Sequence, residues 1–153
     1  MKKVLIVDDD QDLLEMVELA LNEQGFNVCT SAEGKNFFEK VTSFNPDIIL
    51  LDIFLTDADG RKLCAQLKED PSLKHIPVAL YSAGHITHSS IIESNANLYI
   101  TKPFDVMQLG EKLKGLLAGE SISNFVDKYI HLIRHFIPLQ FLHLRTKKLI
   151  RLA

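Results

Sequence analysis

The chain has 153 residues, 46% hydrophobic and 24% charged, with a formal charge of −3, so it holds one ordinary globular domain with a real core and leaves no room for two. The near-neutral total excludes a strongly basic nucleic-acid binder and an acidic disordered chain, but it hides a division. Residues 1–118 carry 11 basic and 18 acidic side chains (−7), whereas residues 119–153 carry 6 and 2 (+4). Cys29 and Cys64 form neither a metal-ligand spacing nor a disulfide framework, which fits a reducing compartment and two small core residues. Four apolar residues before three aspartates are too few for a signal peptide, and no run of about 18 apolar residues exists to span a membrane. A cytoplasmic protein is expected.

Short apolar runs alternate with stretches of helical period, the pattern of βαβ units and a parallel sheet covered on both faces. The runs are 3–7, 26–30, 47–53, 76–81 and 97–101, and the third and fourth are apolar enough to be central strands. Leu13, Val17, Ala20 and Leu21 share one face of a first helix that Gly25 ends, and Ser31 is placed to cap a second that stops before Asn45-Pro46. Asp59 can cap a third helix bearing Leu63 and Leu67. A fourth, over 86–94, is rich in Ser, Thr and His and is expected to be short or mobile. Asp105 with Gln108 resembles a capping box for a last helix with a stripe of Val106, Leu109, Leu113, Leu116 and Leu117.

Ligands of an open parallel sheet sit beyond the carboxyl ends of its strands. Those ends carry Asp8-Asp9-Asp10, Asp52, Ser82 and Lys102-Pro103, so carboxylates, one hydroxyl and one ammonium converge on one rim. Two carboxylates 4 Å apart repel by about 4 kcal/mol at an effective dielectric near 20. A hard dication with oxygen ligands, Mg²⁺, relieves this, and the hydroxyl and ammonium opposite it would complete a cradle for a phosphoryl group.

Taken in order, VLIVDDD at 4–10, IILLD at 48–52, Asp59-Gly60, Ser82-Ala83 and Lys102-Pro103-Phe104 resemble the receiver domain of two-component response regulators over residues 1–118. The resemblance implies a doubly wound α/β fold of flavodoxin-like type, with five parallel strands and helices on both faces. It also implies a Mg²⁺-dependent phosphoacceptor signalling domain, and not an enzyme with a separate substrate. Asp52 would accept the phosphoryl group from a phosphohistidine on a sensor histidine kinase or phosphotransfer protein. Asp9 would bind Mg²⁺ directly, together with Asp52 and the backbone carbonyl of Phe54, and Asp8 mainly through water. Ser82 and Lys102 would hold the phosphoryl oxygens, and Tyr99 would be the aromatic switch of an output face formed by the fourth helix, fifth strand and fifth helix.

Some positions depart from the pattern. Thr56 replaces a frequent Pro, which predicts a less rigid loop with no part in the chemistry. Phe54, two residues past Asp52, is expected to shield the phosphoryl group, with Gly84 two past Ser82. The interval from Ser82 to Lys102 is slightly short for the family. A rival reading takes Asp8-x-Asp10 as the motif of a Mg²⁺-dependent haloacid-dehalogenase-type phosphatase, with Asp8 as nucleophile and Asp10 as acid/base. It leaves Asp52 unexplained, and Asp12 stands where that motif wants Thr or Val.

Residues 119–153 are too few for a typical output module. Ile122, Phe125, Val126, Tyr129, Ile133, Phe136 and Ile137 recur at helical spacing before Pro138, and from Arg134 onward there are five basic and no acidic residues. A basic amphipathic helical extension of this kind suits packing on the receiver, self-association, an unknown downstream protein or an anionic membrane surface. No element for reading a DNA sequence is present.

Overall fold

The computed structural model describes residues 1–84 and 88–119, and the sequence expectations for the extension beyond Gly119 lie outside them. The described chain alternates β1 (Lys2–Val7), α1 (Gln11–Glu23), β2 (Phe26–Ser31), α2 (Phe37–Phe44), β3 (Ile48–Asp52), α3 (Gly60–Glu69), β4 (Val78–Ser82), α4 (His88–Glu93), β5 (Leu98–Thr101) and α5 (Val106–Leu117). All five strands are parallel in the order β2-β1-β3-β4-β5, so β3 is central and β1 and β4 flank it.

Side chains of successive strand residues point to opposite faces, and this period of two divides the core. Val4, Ile6, Ile48 and Leu50 face α1 and α5, where they meet Leu14, Val17, Leu21, Leu109 and Leu113. Leu5, Val7, Ile49 and Leu51 face the other way, against Phe37 and Val41 of α2 and Cys64 and Leu67 of α3. Burial of β3 and β4 on both faces explains why both read as unbroken apolar runs. Each fully buried aliphatic side chain contributes about 1.5–3 kcal/mol relative to exposure.

Local expectations hold in part. Asp10 caps α1 and Asp59 caps α3, each accepting a backbone N–H of the first turn. Gly25 leaves α1 at φ +88°, and Asn45 ends α2 at φ 52°. The buried stripe of α1 is Leu14, Val17 and Leu21, with Leu13 only half-buried, one step from the expected phase. Ser31 does not cap α2: it ends β2, its hydroxyl donates to the Glu33 carbonyl, and α2 starts at Phe37 after Asn36. Asp105 caps α5 by accepting the Met107 N–H at 2.8 Å, while Gln108 is exposed and returns no hydrogen bond, so the box is half formed. Helix α4 is short, at six residues. Cys64 is buried, which pushes its thiol up to about 11, whereas Cys29 is half-buried, and both are free.

Candidate functional site

The rim at the strand ends gathers the expected groups because β1, β3 and β5 all stop there. The register aligns Val7 with Leu51, one residue before Asp8 and Asp52, and aligns Ser82 with Thr101, one residue before Lys102. Asp8 and Asp52 are buried and Asp9 is half-buried. One oxygen from each of the three lies within 4.8 Å of the others, a hard all-oxygen donor set that fits Mg²⁺. The Lys102 ammonium spans two of them, 2.7 Å from Asp8 Oδ2 and 3.3 Å from Asp52 Oδ1.

One ammonium does not neutralise three carboxylates. Burial raises the pKa of Asp52, Asp8 and Asp9 push it further, and Lys102 opposes them. For Lys102, burial works against the charge, but the bond to Asp8 and the charges of Asp8 and Asp52 outweigh it and raise its pKa. Asp8 also accepts the Asp10 N–H at 2.9 Å, which fixes its carboxylate from the chain side. The Ser82 hydroxyl is fully buried at the carboxyl end of β4 and accepts the Gly84 N–H at 3.1 Å.

Phe54 is 55% exposed at the mouth of the site, and its ring covers Gly84, where an added Cβ would lie 2.9 Å from it. The Arg61 guanidinium lies 6.0 Å from the same ring, chelates Asp59 through Nε and a terminal nitrogen, and donates to Ser90 of α4 at 2.8 Å. Tyr99 is half-buried on β5, and its hydroxyl donates to the Gly84 carbonyl at 3.4 Å, toward the loop that follows Ser82.

Two groups escaped the sequence reading. Thr56 does touch the site, because its backbone N–H donates to Asp9 Oδ2 at 3.1 Å, a bond that a proline there could not make. Nor is its loop slack: Asp57 accepts the Gly34 and Lys35 N–H groups, each at 2.9 Å, and ties the loop to the β2–α2 connection. The other is Tyr81, fully buried immediately before Ser82, whose ring lies 4.6 Å beneath the Lys102 ammonium. A hydroxylated aromatic next to the active rim, in a run otherwise aliphatic, was the available signal.

Fold and site together define an α/β domain with an acidic cation pocket at its strand ends and a lysine shared between two buried carboxylates. The response regulator receiver domain family matches residues 4–114, and the chain belongs to that family. It is 31% identical over 129 residues to the response regulator ArlR of Staphylococcus saprophyticus, covering 83% of this chain and 57% of that protein. The chain thus spans little more than half the length of the curated relatives it matches. The signal receiver domain of a signal transduction histidine kinase from Syntrophus aciditrophicus superposes with a TM-score of 0.73 at 30% identity, covering 78% of this chain and 92% of that one. A two-component response regulator from Clostridium difficile gives 0.70 at 26%, covering 77% and 97%. The phosphatase alternative finds no support: Asp10, its acid/base, is half of a helix cap, accepting the Leu13 N–H at 3.1 Å. Among the described residues no helix is long and apolar enough to cross a membrane.

Proposed function

We propose that Asp52 is the phosphoacceptor of a response regulator, receiving the group from a phosphohistidine on a sensor histidine kinase or phosphotransfer protein. The observation that carries this reading is the Lys102 ammonium held between Asp8 and Asp52, within reach of any oxyanion formed on Asp52. A carboxylate oxygen of Asp52 attacks phosphorus, the P–O bond forms as the P–N bond breaks, and the departing imidazole keeps the electron pair and takes a proton. Asp9, Asp52 and the Phe54 carbonyl would hold Mg²⁺ directly and Asp8 mainly through water, and an ion held there would supply charge stabilisation to the phosphoryl oxygens. Lys102 and Ser82 bind those oxygens, the first by charge and the second by its hydroxyl.

The new charge on Asp52 biases groups already within a few ångströms, so the switch requires only a surface with two arrangements. Ser82 moves toward the phosphoryl group, Tyr99 follows, and the face of α4, β5 and α5 changes its fit for a downstream protein. The domain catalyses only its own phosphorylation and dephosphorylation, and it works in the cytoplasm. Residues 119–153 form a basic extension outside the receiver (1–118), suited to self-association or to an anionic partner. Incubation with acetyl phosphate and Mg²⁺, followed by mapping of the labelled aspartate, tests the assignment. Label is expected on the wild type and absent from Asp52→Asn; label that survives on Asp52→Asn and disappears from Asp8→Asn overturns it.

A further inference from the structure

Residues 53–59, between β3 and α3, form a loop closed at its base and held at its tip from two sides. At the base the backbones of Phe54 and Asp59 pair as an antiparallel bridge, and the Gly60 N–H donates to the Ile53 carbonyl at 2.9 Å. At the tip the Thr56 N–H donates inward to Asp9 Oδ2 at 3.1 Å. The next residue reaches away from the pocket: Asp57 Oδ1 accepts the Gly34 N–H and Oδ2 the Lys35 N–H, each at 2.9 Å. Two oxygens on two consecutive N–H groups fix orientation as well as distance, whereas a single bond leaves the loop free to swing about it.

The junction between the two loops is sterically tight. A Cβ built on Gly34 would lie 2.6 Å from the Ala58 Cβ and 2.9 Å from Leu55 Cδ1, so the close approach depends on the missing side chain. Leu55 is itself buried in the layer that holds Phe37, the first residue of α2, which makes the β2–α2 connection a fixed abutment. Thr56 and Asp57, by contrast, are both exposed, so burial holds neither in place. A hydrogen bond open to water gains little by itself, and the Thr56 bond to Asp9 depends on the chain already being held where that bond is made.

We propose that Asp57 is a positioning residue for the cation of the acidic pocket: by clasping the Gly34 and Lys35 N–H groups it holds the Thr56 N–H on Asp9, and so fixes the orientation in which Asp9 meets Mg²⁺. The inference rests on the reading of Asp8, Asp9 and Asp52 as the Mg²⁺ site. Mg²⁺ demands near-octahedral geometry, so a carboxylate that swings binds it less well than one held from outside. Affinity for the ion thereby depends on the β2–α2 connection, which supplies no ligand to it.

The test is calorimetric titration of the full chain with Mg²⁺, at a temperature where circular dichroism shows each variant folded. Asp57→Ala is expected to bind Mg²⁺ about fivefold more weakly than wild type, the scale of one net hydrogen bond. Asp57→Asn, which keeps one acceptor, is expected to lose less, and it carries the comparison if Asp57→Ala does not fold. Gly34→Ala forces the loops apart while leaving the Asp57 charge in place, and it is expected to weaken Mg²⁺ binding too. Adding Asp57→Ala to Thr56→Pro, which already lacks the N–H, is expected to cost little more than Thr56→Pro alone. Wild-type affinity in Asp57→Ala overturns the proposal. So does a loss in Asp57→Ala beside wild-type affinity in Gly34→Ala, or losses that multiply in the double variant, because the carboxylate then acts as a charge through space and not as a clasp. Failure of the wild type to bind Mg²⁺ overturns instead the cation site, and this inference with it.

Discussion

Replacing Asp52 by Asn should stabilise the free protein while abolishing its phosphorylation. Asp52 has carboxylate oxygens of Asp8 and Asp9 within 4.8 Å, and each such pair repels by about 3.5 kcal/mol at an effective dielectric of 20. Lys102, 3.3 Å away, returns about 5 kcal/mol on the same scale. The charge on Asp52 is therefore unfavourable by about 2 kcal/mol before its burial is counted. Asparagine keeps the shape and removes the charge, so unfolding in chelator at pH 7 should require about 2 kcal/mol more than wild type, a rise of roughly 8 °C in the melting temperature for a domain of this size. The sign of the pH dependence follows from the raised pKa of Asp52. Its penalty on the native state is complete above the folded pKa and disappears as pH falls through it toward the unfolded value near 4, so the advantage of the Asp52→Asn protein should shrink over the same interval. Saturating Mg²⁺, which binds the native wild-type pocket, should narrow the difference from the other side. Thermal melts of both proteins across pH, with and without Mg²⁺, measure all three effects. An Asp52→Asn protein less stable than wild type at pH 7 in chelator would refute the reasoning, since it would mean that Lys102 more than balances the two neighbouring carboxylates.

Thr56→Pro removes the N–H that donates to Asp9 and should weaken Mg²⁺ binding severalfold in calorimetric titration, while Thr56→Ala, which keeps the N–H, leaves it unchanged. Gly60→Ala places a methyl group against the backbone carbonyl of Asp52, which cannot yield as a side chain could, so urea melts should show a loss of several kcal/mol or failure to fold. Phe54→Asn replaces the ring at the mouth of the site with a smaller polar group, and the phosphorylated protein should lose phosphate severalfold faster; an unchanged lifetime removes Phe54 as a shield.

What the sequence made legible was whatever depends on neighbours along the chain. Unbroken apolar runs marked β3 and β4, and the first polar residues after the strands, Asp8, Asp52 and Lys102, were readable as rim groups because a strand buried on both faces has no other use for them. The start of α2 was not legible. Ser31 has the chemistry of a cap, but pairing of β2 with β1 carries the strand through it, and the loop beyond is set by Asp57, more than twenty residues away. The bond from Thr56 to Asp9 was hidden for a similar reason, as a backbone donor has no letter of its own and only the missing proline hints at it. Tyr81 could be read as core, but its place beside Lys102 follows from the pairing of β4 with β5, which the letters of either strand alone do not show.

The two helices that frame β5 are fastened in different ways. Gln24, at the end of α1, fills the space left by the absent side chain of Gly110 and donates to the Val106 carbonyl, so α5 is keyed into α1. By contrast α4 is a turn and a half of helix whose side-chain link to α3, among the described residues, is Arg61 on Ser90. In mechanical terms α5 is braced by an interlocking side chain, whereas α4 is tied by a single side-chain bond among the described residues. Arg61 thus joins α4, through Ser90, to the Phe54 ring at the mouth of the site, while α5 has its side-chain tie to α1.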